Sequence, residues 1–329
     1  MRILIIRFSS IGDIVLCSAV IRCLKQTYPD AEIHFLTKDA FAPIVSSNPY
    51  ITKVIAFKDQ LLTLGRELAT NQYDVVVDLH NNLRSHLLIQ LLPEKVSVLR
   101  YQKDRWKRSL SVLLKQDFFK GKHVVDQYFE PLQSLNVFYD GKGLDYFIRP
   151  DDTISRADLP FTHLAGFAVF CLGATHFTKK WPEEKWITLC NDILLPVILI
   201  GGKTEAELGQ KLAGLDPFKI INACGKYSLG QSASIIQQAK FVVTHDTGMM
   251  HIAAAFRKKT ISIWGGTVPW LGFRPFIDDD AKNIIVEDDA LKCRPCSKYG
   301  RKSCPKGHFK CMIDIQPEKI LELSVGHIR

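Results

Sequence analysis

Three short stretches of this 329-residue chain combine residue types that can do chemistry, and each follows an apolar, strand-like run. The first is Ser9-Ser10-Ile11-Gly12-Asp13, directly after Arg2–Arg7. It puts a carboxylate at the start of a helix, where the helix dipole keeps Asp13 ionised at neutral pH. Such a group is a weak base at rest, suited to taking a proton from a hydroxyl only as attack acidifies it. An aspartate in this place also serves as a plain N-cap. The second stretch runs from Gly173 through Thr175, Lys179 and Lys180 to Trp181-Pro182. Thr175 and Lys179 offer a hydroxyl and an ammonium that suit a pyrophosphate, and Pro182 sits where a helix begins. The third is Val242 to Ala255, in which a β-branched run passes through Asp246-Thr247-Gly248 into an alanine-rich helix. Asp246 or Thr247 caps that helix, and Gly248 lets a ligand approach bare N–H groups, which makes the turn a ready anion site. His251 lies one turn in, either on the face that Gly248 leaves open or as an ordinary core histidine.

The elements that must position these groups alternate between strand and helix. In the N-terminal half, strands are expected at Arg2–Arg7, Glu32–Leu36, Val54–Phe57, Asp74–Asp78 and Val96–Leu99, with a helix of apolar period 3.6 ending before Pro29. A turn-rich stretch from Asp140 to Pro160 reads as a linker, which divides the chain into domains 1–150 and 151–329. After it the alternation restarts, with strands at Gly166–Leu172, Val197–Ile200, Ile220-Ile221, Val242–Thr244 and Thr260–Trp264. The expected fold is α/β, two Rossmann-like doubly wound domains facing a cleft, with ligands at the C-terminal ends of the strands.

Composition narrows the partners. The net charge of +9 implies an anionic one: nucleic acid, a membrane surface or a phosphorylated substrate. No apolar run approaches the ~18 residues of a membrane helix. Between Arg100 and Lys122 eight basic residues stand against two acidic ones, with Trp106 among them. That segment is either a solvated face or a docking surface. Nine cysteines read as reduced thiols of a cytosolic protein. Four of them, Cys293, Cys296, Cys304 and Cys311, have spacing that fits tetrahedral zinc or a partly buried thiol cluster. Asp278-Asp279-Asp280 reads as a solvated acidic turn rather than a metal site. The first βα turn lacks G-x-G-x-x-G, which argues against a nicotinamide cofactor.

Together, Ser9–Asp13, Lys179-Lys180-Trp181-Pro182 and Asp246–Ala255 resemble the heptosyltransferase family of lipopolysaccharide core synthesis, glycosyltransferases of the two-domain GT-B type. The resemblance spans essentially the whole chain and implies inverting transfer of heptose from ADP-heptose to a lipid A-linked sugar, with no metal or other cofactor needed for catalysis. It implies Asp13 as general base and Lys179 as the second catalytic group. It places Thr175, Lys179, Asp246, Thr247, Gly248 and His251 at the donor, with Glu205 or Glu207 near the ribose. Ser10 and Gly12, with Arg105, Lys107 and Arg108, are expected on the acceptor side. The implied setting is the cytoplasm, peripheral to the inner membrane, with an anionic lipid A-type acceptor and no nucleic acid. The chain departs from the family pattern at Phe256-Arg257 and at Gly265-Gly266-Thr267. Two other classes remain in view. A nucleotide-sugar epimerase on the same plan would leave the basic segment without a purpose. A zinc-bearing nucleic-acid binder would leave the Asp13, Lys179 and Asp246–His251 stretches unexplained.

Overall fold

Apolar, β-branched runs bounded by turn residues become strands covered on both faces, as parallel sheets require. A computed structural model describes residues 1–58 and 60–325, which fall into two compact units. The first unit consists of Met1–Asp104 and Lys122–Arg149. Its strands are β1 (Arg2–Ile6), β2 (Glu32–Lys38), β3 (Lys53–Phe57), β4 (Val75–Asp78) and β5 (Ser97–Arg100), all parallel in the order β3-β2-β1-β4-β5. Ile3 to Ile6 of central β1 are fully buried. Leu4 and Ile6 pack with Leu36, Leu64, Val76 and Leu88 in one cluster. The chain turns from one side of the sheet to the other between β1 and β4, and ligands of such sheets bind outside the strand ends at that point.

The second unit runs from Pro150 to the end of the described residues and also takes in Arg105–Gly121. Its strands are β6 (Ala168–Cys171), β7 (Val197–Ile200), β8 (Ile220–Asn222), β9 (Phe241–His245), β10 (Lys259–Trp264) and β11 (Asn283–Glu287). They form a parallel sheet of order β11-β10-β9-β6-β7-β8, so the change of direction falls between β6 and β9. Trp186 is fully buried and meets Trp181 edge to face at 5.1 Å, joining Phe170, Val243, Ile263 and Met312 in the core. Both sheets are the doubly wound α/β plan that the alternation implies. The edge strand β11 was not among the strands expected.

The two units divide between Arg149 and Pro150, with the Arg105–Gly121 segment crossing over to the second. Its helix, Arg105–Leu114, belongs to the second unit, where Val112 and Phe119 pack with Val268, Trp270 and Leu271. Arg108 is buried, its guanidinium carbon 5.4 Å from the Phe119 ring and 4.9 Å from that of Phe273. Sandwiched between two rings, Arg108 is removed from the exposed acceptor surface expected of it. Arg105 and Trp106 are exposed and Lys107 half-buried, but all three ride on the second unit rather than the first. Among the described residues no helix is long and apolar enough to cross a membrane.

One buried ion pair fixes the end of the first unit. Arg22 donates to both Asp140 oxygens at 2.8 Å and to the Gly143 carbonyl at 2.8 Å, and it also pairs with Asp145. Hydrogen bonding to Arg22 holds the Asp140 carboxyl down at about 2. A depressed native carboxylate stabilises the fold above its unfolded value of about 3.9, and the gain is lost as pH falls through the native value. Unfolding free energies from urea titration are therefore expected to fall between about pH 4 and pH 2 by an amount on the order of 1–2 kcal/mol, discounted for partial exposure. Asp140→Asn should be less stable at neutral pH and show a flatter profile over that range.

Candidate active site

At the end of β1 the chain places Arg7, Ser10 and Asp13 around one another. Ser10 is the N-cap of the Ile11–Leu16 helix and Asp13 its third residue. The Asp13 carboxylate accepts the Ser10 N–H at 3.2 Å and the Ser10 hydroxyl at 2.9 Å, and pairs with the Arg7 guanidinium at 2.6 Å. Arg7 is itself buried, donating to the Ser9 carbonyl at 2.9 Å and to the Leu79 carbonyl, and it lies 5.7 Å from the centre of the Tyr128 ring. Burial pushes the Asp13 carboxyl up, but the Arg7 charge and the Ser10 donors outweigh it and hold the group below the usual carboxylate range. Asp13 is therefore an ionised, oriented carboxylate whose basicity Arg7 restrains.

On the second unit the loops after β6 and β9 meet where the sheet changes direction. The Lys179 ammonium reaches the Asp246 carboxylate at 2.6 Å and the Asp246 carbonyl at 3.1 Å, while the Thr267 hydroxyl donates to the same carboxylate at 2.8 Å. A lysine has three donors, so one remains for a ligand oxygen. Beside this pair, Lys180 holds Glu205 at 2.8 Å, and Glu205 also accepts from Gly202 N–H at 3.0 Å and the Thr204 hydroxyl at 2.9 Å. Burial raises the Glu205 carboxyl, and these partners together bring it below the ordinary range. His245 closes β9. Burial lowers its imidazole to about 4, and its Nε2 accepts the Trp181 N–H at 3.0 Å, so the ring is neutral with its proton on Nδ1.

The loop after β10 explains one departure from the family pattern. A side chain on Gly265 would meet the Thr178 carbonyl at 2.6 Å, and one on Gly266 would meet the Thr178 side chain at 3.0 Å. The two glycines let this loop close against the Lys179 loop, and Gly266 N–H donates to the Thr178 carbonyl at 2.9 Å. Thr267 is thereby delivered to Asp246. Arg294, buried, pins the loop from behind through the carbonyls of Gly265 at 2.6 Å and Thr267 at 2.9 Å, with Glu287 at 2.7 Å.

The expected donor residues Lys179, Asp246 and Glu205 thus come together in the second unit. Thr247 stands at the N-cap position of the Gly248–Ala255 helix without a side-chain capping bond and His251 is buried one turn along it, while Thr175 is exposed on its loop. Glu207 points out on the exposed side of the next helix, leaving Glu205 as the carboxylate beside the loops. Sequence reasoning missed Arg7, Thr267 and Arg294, each a partner of an expected group rather than a group in a recognisable turn. The one available signal was Arg7, a cation at the end of an otherwise apolar strand. The structural-zinc expectation is not supported. Cys293 Sγ lies 3.9 Å from His308 Nε2 and Cys296 Sγ turns to the Cys293 carbonyl, and among the described residues no three His, Cys, Asp or Glu side chains are grouped to hold a metal ion.

Comparison with known proteins agrees with this geometry. The chain is 27% identical to lipooligosaccharide heptosyltransferase 2 of Haemophilus influenzae, over 98% of both chains. It is 27% identical to lipopolysaccharide heptosyltransferase 1 of Escherichia coli, over 82% of this chain and 90% of that one. The solved structure of E. coli ADP-heptose LPS heptosyltransferase II superposes with a TM-score of 0.74 at 21% identity, covering 98% of this chain and 97% of that one. Two parallel, doubly wound units of this kind make up the GT-B fold. The description "Glycosyltransferase family 9 (heptosyltransferase)" matches residues 61–305, and the chain belongs to that family.

Proposed function

We propose that the protein transfers heptose from ADP-heptose to the inner core of a lipid A-linked saccharide, with inversion and without a catalytic metal, in the cytoplasm at the inner membrane. The observation that carries this reading is the lysine–aspartate pair at the switch point of the second sheet, with one ammonium proton unspent. In the reaction the acceptor hydroxyl, held with the help of Ser10 and Gly12, gives its proton to Asp13 as its oxygen bonds to the heptose anomeric carbon. The bond from that carbon to the donor phosphate breaks, and ADP leaves with the electron pair. Lys179 and the N–H groups at Thr247-Gly248 face the charge that develops on ADP, as a preorganised anion site should. Thr175 and His251 complete the donor site, with Glu205 toward the ribose. Metal independence is supported by charge balance: Asp13, Asp246 and Glu205 are already neutralised by Arg7, Lys179 and Lys180.

The test is ADP release from ADP-heptose with a lipid A-type acceptor, with and without a chelator. Acceptor-dependent release unchanged by the chelator is the expected result. Strict dependence on an added divalent ion would remove the metal-free part. Conversion of the donor to an epimer without acceptor would replace the transferase reading.

A further inference from the structure

The Arg105–Leu114 helix and the loop around residues 296–301 form the two banks of a groove of about 560 Å³ in the second unit. Lys115, Lys298 and Arg301 line it, and no lining residue is acidic. Each of these cations is held by a main-chain carbonyl. Lys115 donates to Pro295, Lys298 to Arg105 at 3.2 Å, and Arg301 to Cys296 at 3.1 Å. Among the described residues none of the three pairs with a carboxylate. A carbonyl satisfies a donor without cancelling its charge, so the groove keeps a positive field. Its rim is apolar: Trp106 is 65%, Leu113 74% and Tyr299 56% exposed. Trp106, Ser109 and Leu113 follow one another at three- and four-residue spacing and so share one helix face.

Cations with no counter-charge beside large exposed apolar side chains fit an anionic amphiphile. A free phosphate would have no use for the apolar rim, and a single-stranded nucleic acid, though it could stack on Trp106 and Tyr299, would leave the 74% exposed Leu113 in water where a bilayer would bury it. We propose that this groove and its rim dock the protein on the anionic surface of a lipid bilayer. Phospholipid phosphates reach Lys115, Lys298 and Arg301, and the Trp106–Leu113 edge enters the headgroup layer. This rests on the reading that the acceptor is a membrane lipid, and it assigns the contact to the second unit. The loop on the groove's far bank is bonded to the donor-site loop, since Arg301 N–H donates to the Thr178 hydroxyl at 2.8 Å. Docking here therefore bears on the element that carries Lys179.

The test is sedimentation of the full chain with vesicles of phosphatidylglycerol and phosphatidylcholine, and with phosphatidylcholine alone, at low and high salt. Wild type is expected to bind only the anionic vesicles, less so as salt screens the charges. Lys115→Glu with Lys298→Glu should lower the partition coefficient about tenfold, as should Leu113→Asp, with ADP affinity and melting midpoint unchanged. Should the charge reversals lower the midpoint, Leu113→Asp on its exposed face carries the test. Variants that bind anionic vesicles like wild type would overturn the docking surface while leaving membrane association standing. Wild type that ignores anionic vesicles would overturn both. Displacement of the vesicles by single-stranded RNA in preference to anionic lipid would make this a nucleic-acid groove instead.

Discussion

Asp13→Asn is expected to lower kcat by about 100-fold or more while ADP binding stays within about twofold of wild type, the split that marks a positioned base. Asparagine keeps the shape and can still accept from Ser10, which bonds the carboxylate at 2.9 Å. It cannot take a proton, and it leaves the buried Arg7 guanidinium without its counter-charge. Arg7→Met separates these effects. It removes the restraint on Asp13, so the acidic limb of the kcat/KM profile should move up. In wild type Asp13 is held below the ordinary range, so activity should persist through the usual carboxylate range before protonation removes the base. A wild-type limb centred near pH 6, or near-normal turnover in the asparagine variant, would rule out the base role.

Lys179→Ala should reduce kcat/KM for the donor by about 100-fold, in the range seen when one oxyanion-type donor is lost. Here the geometry adds a distinguishing consequence. Removing the ammonium strands the Asp246 carboxylate, which keeps only the Thr267 hydroxyl among its side-chain partners. An unpaired carboxylate repels an incoming diphosphate, so part of the loss is repulsion rather than missing attraction. The double variant Lys179→Ala, Asp246→Asn should therefore bind ADP better than Lys179→Ala alone. Calorimetric titration with ADP checks this, and equal affinity of the two variants would remove Asp246 from the donor site.

The strands were legible because parallel strands are buried on both faces, so β7 reads as an unbroken apolar run, β1 as one after Arg2 and β9 as one up to Thr244. The strand β11 was not, being a short edge strand just after an acidic turn, with most of its residues only partly buried. The turns bearing Asp13, Lys179 and Asp246 were legible from residue type and place. Their partners were not, because Lys179 meets a residue 67 positions away and Thr267 a residue 21 positions away, and only the folded loops bring them together. The basic segment shows the same limit more sharply. Its charges are plain in the sequence, but nothing local says that Arg108 turns inward between two phenyl rings. Nor does it say that the surrounding helix belongs with residues that follow the linker.

That last allegiance has a consequence for synthesis on the ribosome. Phe119 and Val112 leave the exit tunnel long before Val268 and Leu271, the residues that cover them. At about 5–20 residues per second, the gap of roughly 150 residues leaves this apolar face uncovered for about 8–30 seconds. The first unit can complete its sheet in that interval, since all of its chain precedes Pro150. The second cannot finish its surface until the chain returns, and a truncation at the linker would deliver a nascent protein with a sticky, basic helix and no partner to shield it.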